Sequence, residues 1–551
     1  MAARPRGEGI GFREAFSIGV GGMIGGGIFA VLGLSLELAG SAAPVAFALA
    51  GLVAGLTAYS YSKLTLRYPS RGGTVEFLVR AYGPGLLSGG LNVLLVLSYT
   101  VMIALYAYAF GSYGASSFGG SHLAARILGV AVILAFTGVN ALGALVSGRV
   151  EDGLVFFKLS ILVLVVAVSL PLIEWQRLSP AAWPPPSRIV AGGMIIFLAY
   201  EGFELIANSA ADAVRVEDVA RAFLASVAVV VAVYVSVALV AAGALTPAEV
   251  IKARDYALAA LAGRSLGRPG FLLVVAAALA STASAINATL YGTAGISYVV
   301  ARYGQLPREI GRTIWGRAPE GLLLIALISS ALTLGAGLEE ISLAGSAGFL
   351  LIFTAVNLAA YKLRRQAKAS GPLSLAGALA ALASLAVLLY HSYESTPGQV
   401  ALFAALAASA FAGEALYRLA TGRRIAEYVD PLLEERERLK RAWETWVPSV
   451  LGALRRLLGE FEAYLIGGMA RGEHESSHDV DLLVVTPKAP AGRLEREARA
   501  LEEEVRRLAG LPRHHPLHLH LATPSQRDEW LRRSRAHKPL HAKAEEGSRN
   551  G

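Results

Sequence analysis

The sequence predicts an all-α, polytopic membrane protein followed by a small water-soluble α/β domain. Hydrophobic residues make up 54% of the 551 residues and charged residues only 17%, against about 25% charged in an average soluble domain. The charges are unevenly distributed, because the 131 residues from Thr421 onwards carry 44 of them and the preceding 420 carry 47. We therefore expect the first part to be solvated by lipid and the second by water.

Apolar stretches long enough to span a bilayer occur throughout the first 420 residues. A hydrocarbon core of about 30 Å needs about 20 apolar residues per helix. Twelve segments meet this requirement: 14–39, 43–67, 84–112, 123–146, 153–173, 189–210, 221–245, 270–299, 320–337, 341–360, 372–391 and 398–418. We number them membrane segments 1 to 12, of which the ninth and tenth are the weakest. Membrane lipid is accordingly an expected partner.

The basic residues predict that both termini lie in the cytoplasm, at the cell (cytoplasmic) membrane. With the N-terminus inside, the inside loops carry 17 Lys and Arg and the outside loops 7, as the positive-inside rule requires. The loop 246–269 is the exception, with four basic residues. This distribution accounts for the net charge of +9 without a nucleic-acid partner. The first apolar stretch is too long for a cleavable signal peptide.

Two membrane segments carry features that an ordinary spanning helix lacks. Segment 1 has six glycines in the nine positions 19–27, each of which costs a helix about 1 kcal/mol relative to alanine. Close helix packing through small residues is one explanation. The run Gly25 to Gly27 exceeds that need, and it favours an unwound segment whose free backbone groups meet a ligand.

Segment 6 has two carboxylates, Glu201 and Glu204, in an apolar run. Intramembrane carboxylates mark a site or a pathway by default, although Glu204 pairing inside the bundle is the alternative. Interruptions in segments 1 and 6, five segments apart, are typical of two five-helix inverted repeats with a binding site at their interface.

Several motifs in this part resemble the amino acid–polyamine–organocation (APC) superfamily of permeases. They are GMIGGGIF at 22–29, YSKLTLRYPSRGG at 61–73, YGP at 82–84, YEGFE at 200–204 and RYGQLP at 302–307. The resemblance covers about 15–420 and implies a secondary transporter of an amino acid or related amine. One departure is Lys63, where a carboxylate is usual.

The resemblance also implies which residues bind and which couple. The substrate carboxylate is expected at the backbone N–H groups of Ile24, Gly25, Gly26 and Gly27, and the amine at the backbone around Phe197, Ala199, Tyr200 and Gly202. An anion at an interrupted helix end is also the physical expectation. Lys158 in segment 5 stands where proton-coupled members have a lysine, so Lys158, Glu201 and Glu204 are the predicted proton-coupling residues. The alternative for Lys158 is an ammonium that snorkels to the membrane interface.

The pattern of the water-soluble part predicts a linker helix followed by an α/β domain. We divide the chain into a transporter domain (1–420), a charged linker helix (421–446), the α/β domain (447–535) and a disordered tail (536–551). Within the domain the pattern predicts helices at Leu451–Phe461 and Leu494–Leu508, and strands at Ala463–Ile466, Asp479–Val485 and Leu517–Leu521.

A phosphate-binding pattern lies between the first two of these strands. The first strand ends at Gly467-Gly468, which permits close approach of a phosphate, and Asp479 and Asp481 alternate along the second, so both carboxylates face one side. Such a pair can hold Mg²⁺ against nucleotide phosphates. Together with Arg471-Gly472, the pattern resembles the minimal nucleotidyltransferase family, which implies a nucleoside triphosphate as partner.

The domain departs from the active members of that family, which place a third carboxylate on the next strand. The best candidate strand here has His518 and His520 on one face instead. A histidine–metal site and a solvated strand face are both compatible with that pattern. The two functional hypotheses are therefore a proton-coupled transporter with a cytoplasmic nucleotide-binding, regulatory domain, and a membrane-tethered nucleotidyltransferase whose bundle is an anchor or receptor. A fusion of independent activities is a third.

Overall fold

The chain divides into two compact units in the computed structural model. The first comprises 1–210, 215–364 and 369–428, and the second comprises 211–214, 365–368 and 429–551. The structure describes residues 10–141, 148–306, 313–314, 318–319, 321–395, 397–421, 435, 438–472, 480–487, 494–512, 515–534 and 536–540.

The described residues between 10 and 421 are almost entirely helical. The helices are α1 (Phe12–Met23), α2 (Gly27–Ala39), α3 (Ala43–Arg67), α4 (Thr74–Tyr82), α5 (Leu86–Phe118), α6 (His122–Ala141), α7 (Gly148–Ser169), α8 (Pro186–Ile195), α9 (Val216–Ala244), α10 (Pro247–Lys252), α11 (Ala257–Arg302), α12 (Gly321–Gly335), α13 (Leu338–Lys362), α14 (Arg364–Ala367), α15 (Gly371–Ser395) and α16 (Pro397–Thr421). Short 3-10 helices follow α8 at Phe197–Tyr200 and Phe203–Asp212. Strands β1 (Thr313–Ile314) and β2 (Ala318–Pro319) form a small antiparallel pair.

Each of the twelve predicted membrane segments contains helix, and the predicted polytopic all-α architecture is confirmed. By length and apolar composition, nine helices among the described residues could cross a membrane, or ten if the bent pair Pro186–Ile195 and Phe197–Asp212 is one span. This count takes Gly27–Arg67 as one stretch, although it contains α2 and α3, and α12 is shorter than the others. The number twelve stays a prediction.

The two predicted interruptions are present. Segment 1 consists of α1 and α2, which are separated at residues 24–26. Segment 6 consists of α8 and the two 3-10 helices, with a bend of 49°. A further break divides α11 at Gly267, two residues before Pro269, close to the predicted start of segment 8 at residue 270; the helical residues before it were predicted as loop.

The second unit is a four-stranded sheet with helices. It contains α17 (Trp443–Leu458), β3 (Glu462–Ile466), α18 (Gly467–Ala470), β4 (Val480–Val485), α19 (Leu494–Leu508), β5 (Leu517–Ala522), α20 (Arg527–Arg533) and β6 (His537–Leu540). The strand order is β5-β4-β3-β6. β3 is antiparallel to β4 and β6, whereas β4 and β5 are parallel, and the crossover between them contains α19.

Alternation along the strands gives this sheet two different faces. One face packs against α17 and α19 through Leu482, Val484 and Leu519. Trp443 and Trp446 of α17 belong to the same buried cluster. The other carries a smaller apolar cluster around Leu483 and Trp530. The predicted strands and the helix Leu494–Leu508 are confirmed.

The predicted tail needs one correction. Residues 537–540, which the composition placed in a disordered tail, form β6 and pair with β3. The exposed side chains of His537 and Lys538 are tolerated because β6 is an edge strand, where water solvates the open side. Residues 541–551, and most of the predicted linker helix, lie outside the described residues.

Candidate functional site

The break in segment 1 leaves backbone donors without a helical partner. The N–H groups of Ile24 and Gly25 still donate to the carbonyls of Val20 and Gly22, at 2.8 and 3.2 Å. The first bond of α2 runs from Ala30 to the Gly26 carbonyl, and α2 begins without a side-chain cap. The N–H groups from Gly26 onwards are therefore the ones left open, so Gly26 and Gly27 of the predicted set are open whereas Ile24 and Gly25 are not.

The break in segment 6 lies directly against the break in segment 1. A Cβ on Gly22 would lie 2.8 Å from Cα of Gly202, and a Cβ on Gly27 would lie 2.5 Å from Cα of Ala199. Gly202 has φ of +115°, a conformation that favours glycine. Glycine is thus required at Gly22, Gly27 and Gly202, since a side chain at any of these positions would push the two breaks apart.

Hydroxyl groups from three neighbouring helices hold the broken backbones. Tyr234 of α9 donates to the Met23 carbonyl at 2.7 Å and lies 3.2 Å from the Ala199 carbonyl. Ser281 of α11 donates to the carbonyls of Ile24 and Gly25. Ser342 and Ser346 of α13 donate to the Ile195 carbonyl, and the Ser346 hydroxyl also accepts from the N–H of Leu198. Carbonyls released by the interruption are thereby partly satisfied.

Two aromatic clusters flank the breaks. The ring of Tyr200 packs against Tyr234 and Phe47, and its hydroxyl donates to the Phe47 carbonyl at 2.8 Å. Phe203 packs against Tyr61 and Phe353, with ring centroids 5.7 and 5.3 Å away. Phe197 also lies against Phe353.

The two carboxyl groups of segment 6 differ in their surroundings. Glu204 is 1% exposed and accepts from the Tyr99 hydroxyl at 2.9 Å and from the Gly202 N–H at 2.8 Å. Glu201 is fully buried, and neither of its oxygens has a hydrogen-bond partner among the described residues. Burying a polar group without a hydrogen-bond partner costs free energy, so the packing of the surrounding fold must hold Glu201 in this position.

Lys158 lies in the middle of α7 and is 2% exposed. α7 packs against α1, where a Cβ on Gly21 would be 2.7 Å from Cγ2 of Val155. Val155 and Lys158 are three residues apart and share a helix face, which places Lys158 on the side of α7 that meets α1. Lys63, by contrast, lies over the ring of Tyr59.

In the second unit, the predicted phosphate turn forms the junction between β3 and α18. Gly467 has φ of +73°, and a Cβ there would lie 2.8 Å from Oδ2 of Asp481. Gly468 is buried at the start of α18. Arg471 is exposed, and its guanidinium donates to the Ser534 carbonyl at 3.3 Å. Asp479, the other predicted carboxylate, lies outside the described residues.

Asp481 meets the two histidines that the sequence placed on one strand face. Its Oδ1 lies 2.9 Å from Nδ1 of His518 and 3.2 Å from Nε2 of His520. Burial alone raises the pKa of this carboxyl, but the hydrogen bonds and charge of His518 and His520 outweigh burial and hold the pKa below its usual value. Two of the three possible metal ligands here, His518 and His520, offer imidazole nitrogen and suit Mg²⁺ poorly, because Mg²⁺ prefers an all-oxygen shell.

Some of the site could not be found from the sequence. Tyr234 stands alone in an apolar run, so nothing marked it before folding. Ser342 and Ser346 are four residues apart in the otherwise apolar stretch 341–353 of α13, which is a polar stripe at helical spacing that could have been noticed.

Two facing interruptions of membrane segments, with buried ionisable groups beside them, define a multi-pass membrane transporter of a small molecule. A family model described as amino acid permease matches residues 10–414, and the chain belongs to that family. A second model, described as a nucleotidyltransferase domain, matches residues 447–537, so the transporter carries a domain of that fold.

Three relatives are similar to this chain over most of their own length. The inner membrane transport protein YbaT of Escherichia coli is 34% identical over 69% of this chain and 90% of its own length. MJ0609 of Methanocaldococcus jannaschii is also 34% identical, over 69% of this chain and 88% of its own length. The branched-chain amino acid permease BcaP of Lactococcus lactis is 26% identical over 64% of this chain and 81% of its own length.

Proposed function

We propose that this chain is a proton-coupled secondary transporter of an amino acid or related amine. The observation that supports it most is the pair of interrupted segments whose breaks lie against each other at Gly22 and Gly202 and at Gly27 and Ala199. The substrate carboxylate would bind the open N–H groups at the start of α2, where the helix dipole also favours an anion. The amine would bind on the side of segment 6, among carbonyls of the broken backbone. The branched-chain amino acid permease among the relatives agrees with such a substrate.

Proton coupling would depend on Lys158, Glu201 and Glu204. The burial of Lys158 favours the coupling hypothesis over an ammonium that snorkels to the interface. Ionised Glu201 would be neither paired nor hydrogen-bonded by the described residues, which is costly. A group that takes up and releases a proton during the transport cycle fits that position.

Two transport modes of the same proteoliposomes test the coupling. Lys158→Ala and Glu201→Gln should lose accumulation driven by a pH gradient, since accumulation needs the proton. Counterflow exchange of substrate at equal pH, which needs no net proton movement, should persist. A panel of radiolabelled amino acids and polyamines identifies the substrate first. If pH-driven accumulation is undiminished in both variants, the coupling is refuted. If neither the wild type nor the variants show counterflow, transport of these substrates is refuted.

We further propose that the second unit binds a nucleotide, on the cytoplasmic side of the cell membrane, and regulates transport. Support comes from the nucleotidyltransferase-domain match over 447–537 and from Gly467, whose backbone lies against the Asp481 carboxylate. Mg²⁺ as its metal would depend on Asp479. The alternative, a membrane-tethered nucleotidyltransferase, is favoured by the same match but leaves Glu201 and the glycine run of segment 1 without a role.

Truncation and nucleotide assays separate these two functions. The full chain is incubated with labelled nucleoside triphosphates and Mg²⁺, and both binding and product are measured. Binding without product, together with uptake that changes when 429–551 are removed, is the expected result for a regulatory domain. Labelled product favours the enzyme, and uptake that is unchanged by truncation and by nucleotide would refute regulation.

A further inference from the structure

The three side chains Asp481, His518 and His520 converge on one face of the sheet in the second unit. In the parallel pairing of β4 and β5, Asp481 is the partner of His518, and His520 is the partner of Leu483. Residues two apart on a strand point to the same face, so the fixed register brings both imidazoles to one carboxylate. This is the face opposite the helices α17 and α19, which pack against Leu482 and Val484.

The spacing of the donor atoms suits a metal ion. The two imidazole nitrogens lie 2.9 and 3.2 Å from the same carboxylate oxygen, and one ligand atom from each of the three residues lies within 4.8 Å of the others. Bonds of about 2.0–2.1 Å to a tetrahedral metal place neighbouring ligand atoms roughly 3.3 Å apart. Both nitrogen–oxygen distances therefore differ from that spacing by only a few tenths of an ångström.

The chemistry of the donors selects the class of metal. Imidazole nitrogen is a good ligand for zinc, copper, nickel and iron, whereas Mg²⁺ and Ca²⁺ take oxygen. Asp481 is a carboxylate at neutral pH and can supply the negative ligand. From these contacts we propose that Asp481, His518 and His520 bind one divalent transition metal ion, of which Zn²⁺ is the representative.

Solvent can reach this site, and the phosphate turn lies beside it. The side chains of Asp481, His518 and His520 are 26%, 13% and 24% exposed, so an ion can enter and further coordination positions stay open. The Asp481 carboxylate has its Oδ1 toward the histidines and its Oδ2 beside the backbone of Gly467. An oxygen of water or phosphate can fill an open position. Binding of the metal itself needs no nucleotide, so the proposal stands apart from the function proposed for this domain.

Metal binding to the full-length protein in detergent, after treatment with a chelator, tests the proposal. Calorimetric titration with Zn²⁺ should give one ion per chain, and Co²⁺ should give the visible absorption of a low-coordinate site with nitrogen ligands. Loss of a second-shell partner already costs 10–100-fold in affinity, so Asp481→Asn, His518→Gln and His520→Gln should each weaken Zn²⁺ binding by at least ~100-fold. Millimolar Mg²⁺ should not displace Co²⁺.

His537→Gln is the matched control, because His537 lies in the same domain, on β6, and is exposed. It should bind Zn²⁺ as the wild type does, and all variants should elute as the same species in size-exclusion chromatography. Equal Zn²⁺ affinity in wild type and the His518 and His520 variants would overturn the assignment. Displacement of Co²⁺ by Mg²⁺ would also overturn it, since it would indicate an oxygen-rich site.

Discussion

At the scale of single residues, Glu201 and Glu204 carry the same side chain three positions apart but have different hydrogen-bonding surroundings. Glu204 accepts from a tyrosine hydroxyl and a backbone N–H, so it holds the bend of segment 6 in place. Glu201 is equally buried but has no such donors among the described residues. A residue that costs stability without a local benefit is typical of a functional position.

We expect Glu201→Gln and Glu204→Gln to differ in their effect on stability. Glutamine at 204 has one acceptor oxygen for two donors, so a buried N–H or O–H loses its partner, at about 1–3 kcal/mol. Glutamine at 201 removes a carboxyl and breaks no described hydrogen bond, so the free energy of unfolding should stay equal or rise. Thermal unfolding of both variants in the same detergent measures this. Equal destabilisation by the two substitutions would contradict it.

At the scale of elements, the interrupted segments depend on glycine for close approach as well as for flexibility. Gly27 begins α2 and faces the backbone of Ala199, while Gly22 faces Gly202. The glycine run thus fits both explanations considered for segment 1: it lets the two segments touch, and it separates α1 from α2 so that backbone N–H groups are left open.

Gly27→Ala and Gly55→Ala form a matched pair. A methyl group at 27 would lie 2.5 Å from Cα of Ala199, and relieving such overpacking costs about 1–3 kcal/mol. At Gly55 in α3 a Cβ meets nothing within 4 Å, and alanine favours the helix. We expect Gly27→Ala to lower both the melting temperature and uptake, the latter by about tenfold or more, whereas Gly55→Ala should leave uptake unchanged. Normal uptake by Gly27→Ala would show that the contact is dispensable.

At the scale of the whole molecule, loop charges predict the orientation in the membrane. The loops that we predict to lie inside carry most of the basic residues of the transporter part, and translocating them is unfavourable. The contrary loop 246–269 contains Lys252 and Arg264, and the ion pair between Arg264 and Glu249 reduces its net positive charge.

Single-cysteine labelling checks this topology without background, because the chain contains no cysteine. Lys252→Cys, in an exposed position of the predicted outside loop, should react with a membrane-impermeant maleimide on intact cells. Glu444→Cys, at an exposed position of α17, should react only after permeabilisation. The reverse pattern would contradict the predicted orientation, and the wild-type chain is the unlabelled control.

Much of the fold and part of the candidate site could be predicted from local features of the sequence. Apolar length identified the membrane segments, because a bilayer demands a minimum span. The glycine run indicated the interruption in segment 1 and Glu201 that in segment 6, since both residue types are unfavourable in an ordinary membrane-spanning helix. Alternation placed His518 and His520 on one face before any partner was known. The strand β6 was missed because its polar residues resemble a tail until β3 provides hydrogen bonds.

The sequence by itself determined where the helices break and which residue types stand at the breaks. Only the tertiary structure decided that Gly27 meets Ala199, that Tyr234 joins the two broken backbones, and that Asp481 faces both histidines. The physical reason is the separation along the chain of the residues that determine each feature. Helix length, glycine cost and strand alternation are fixed by neighbours along the chain, whereas these contacts join residues tens to hundreds of positions apart and exist only once the elements have packed.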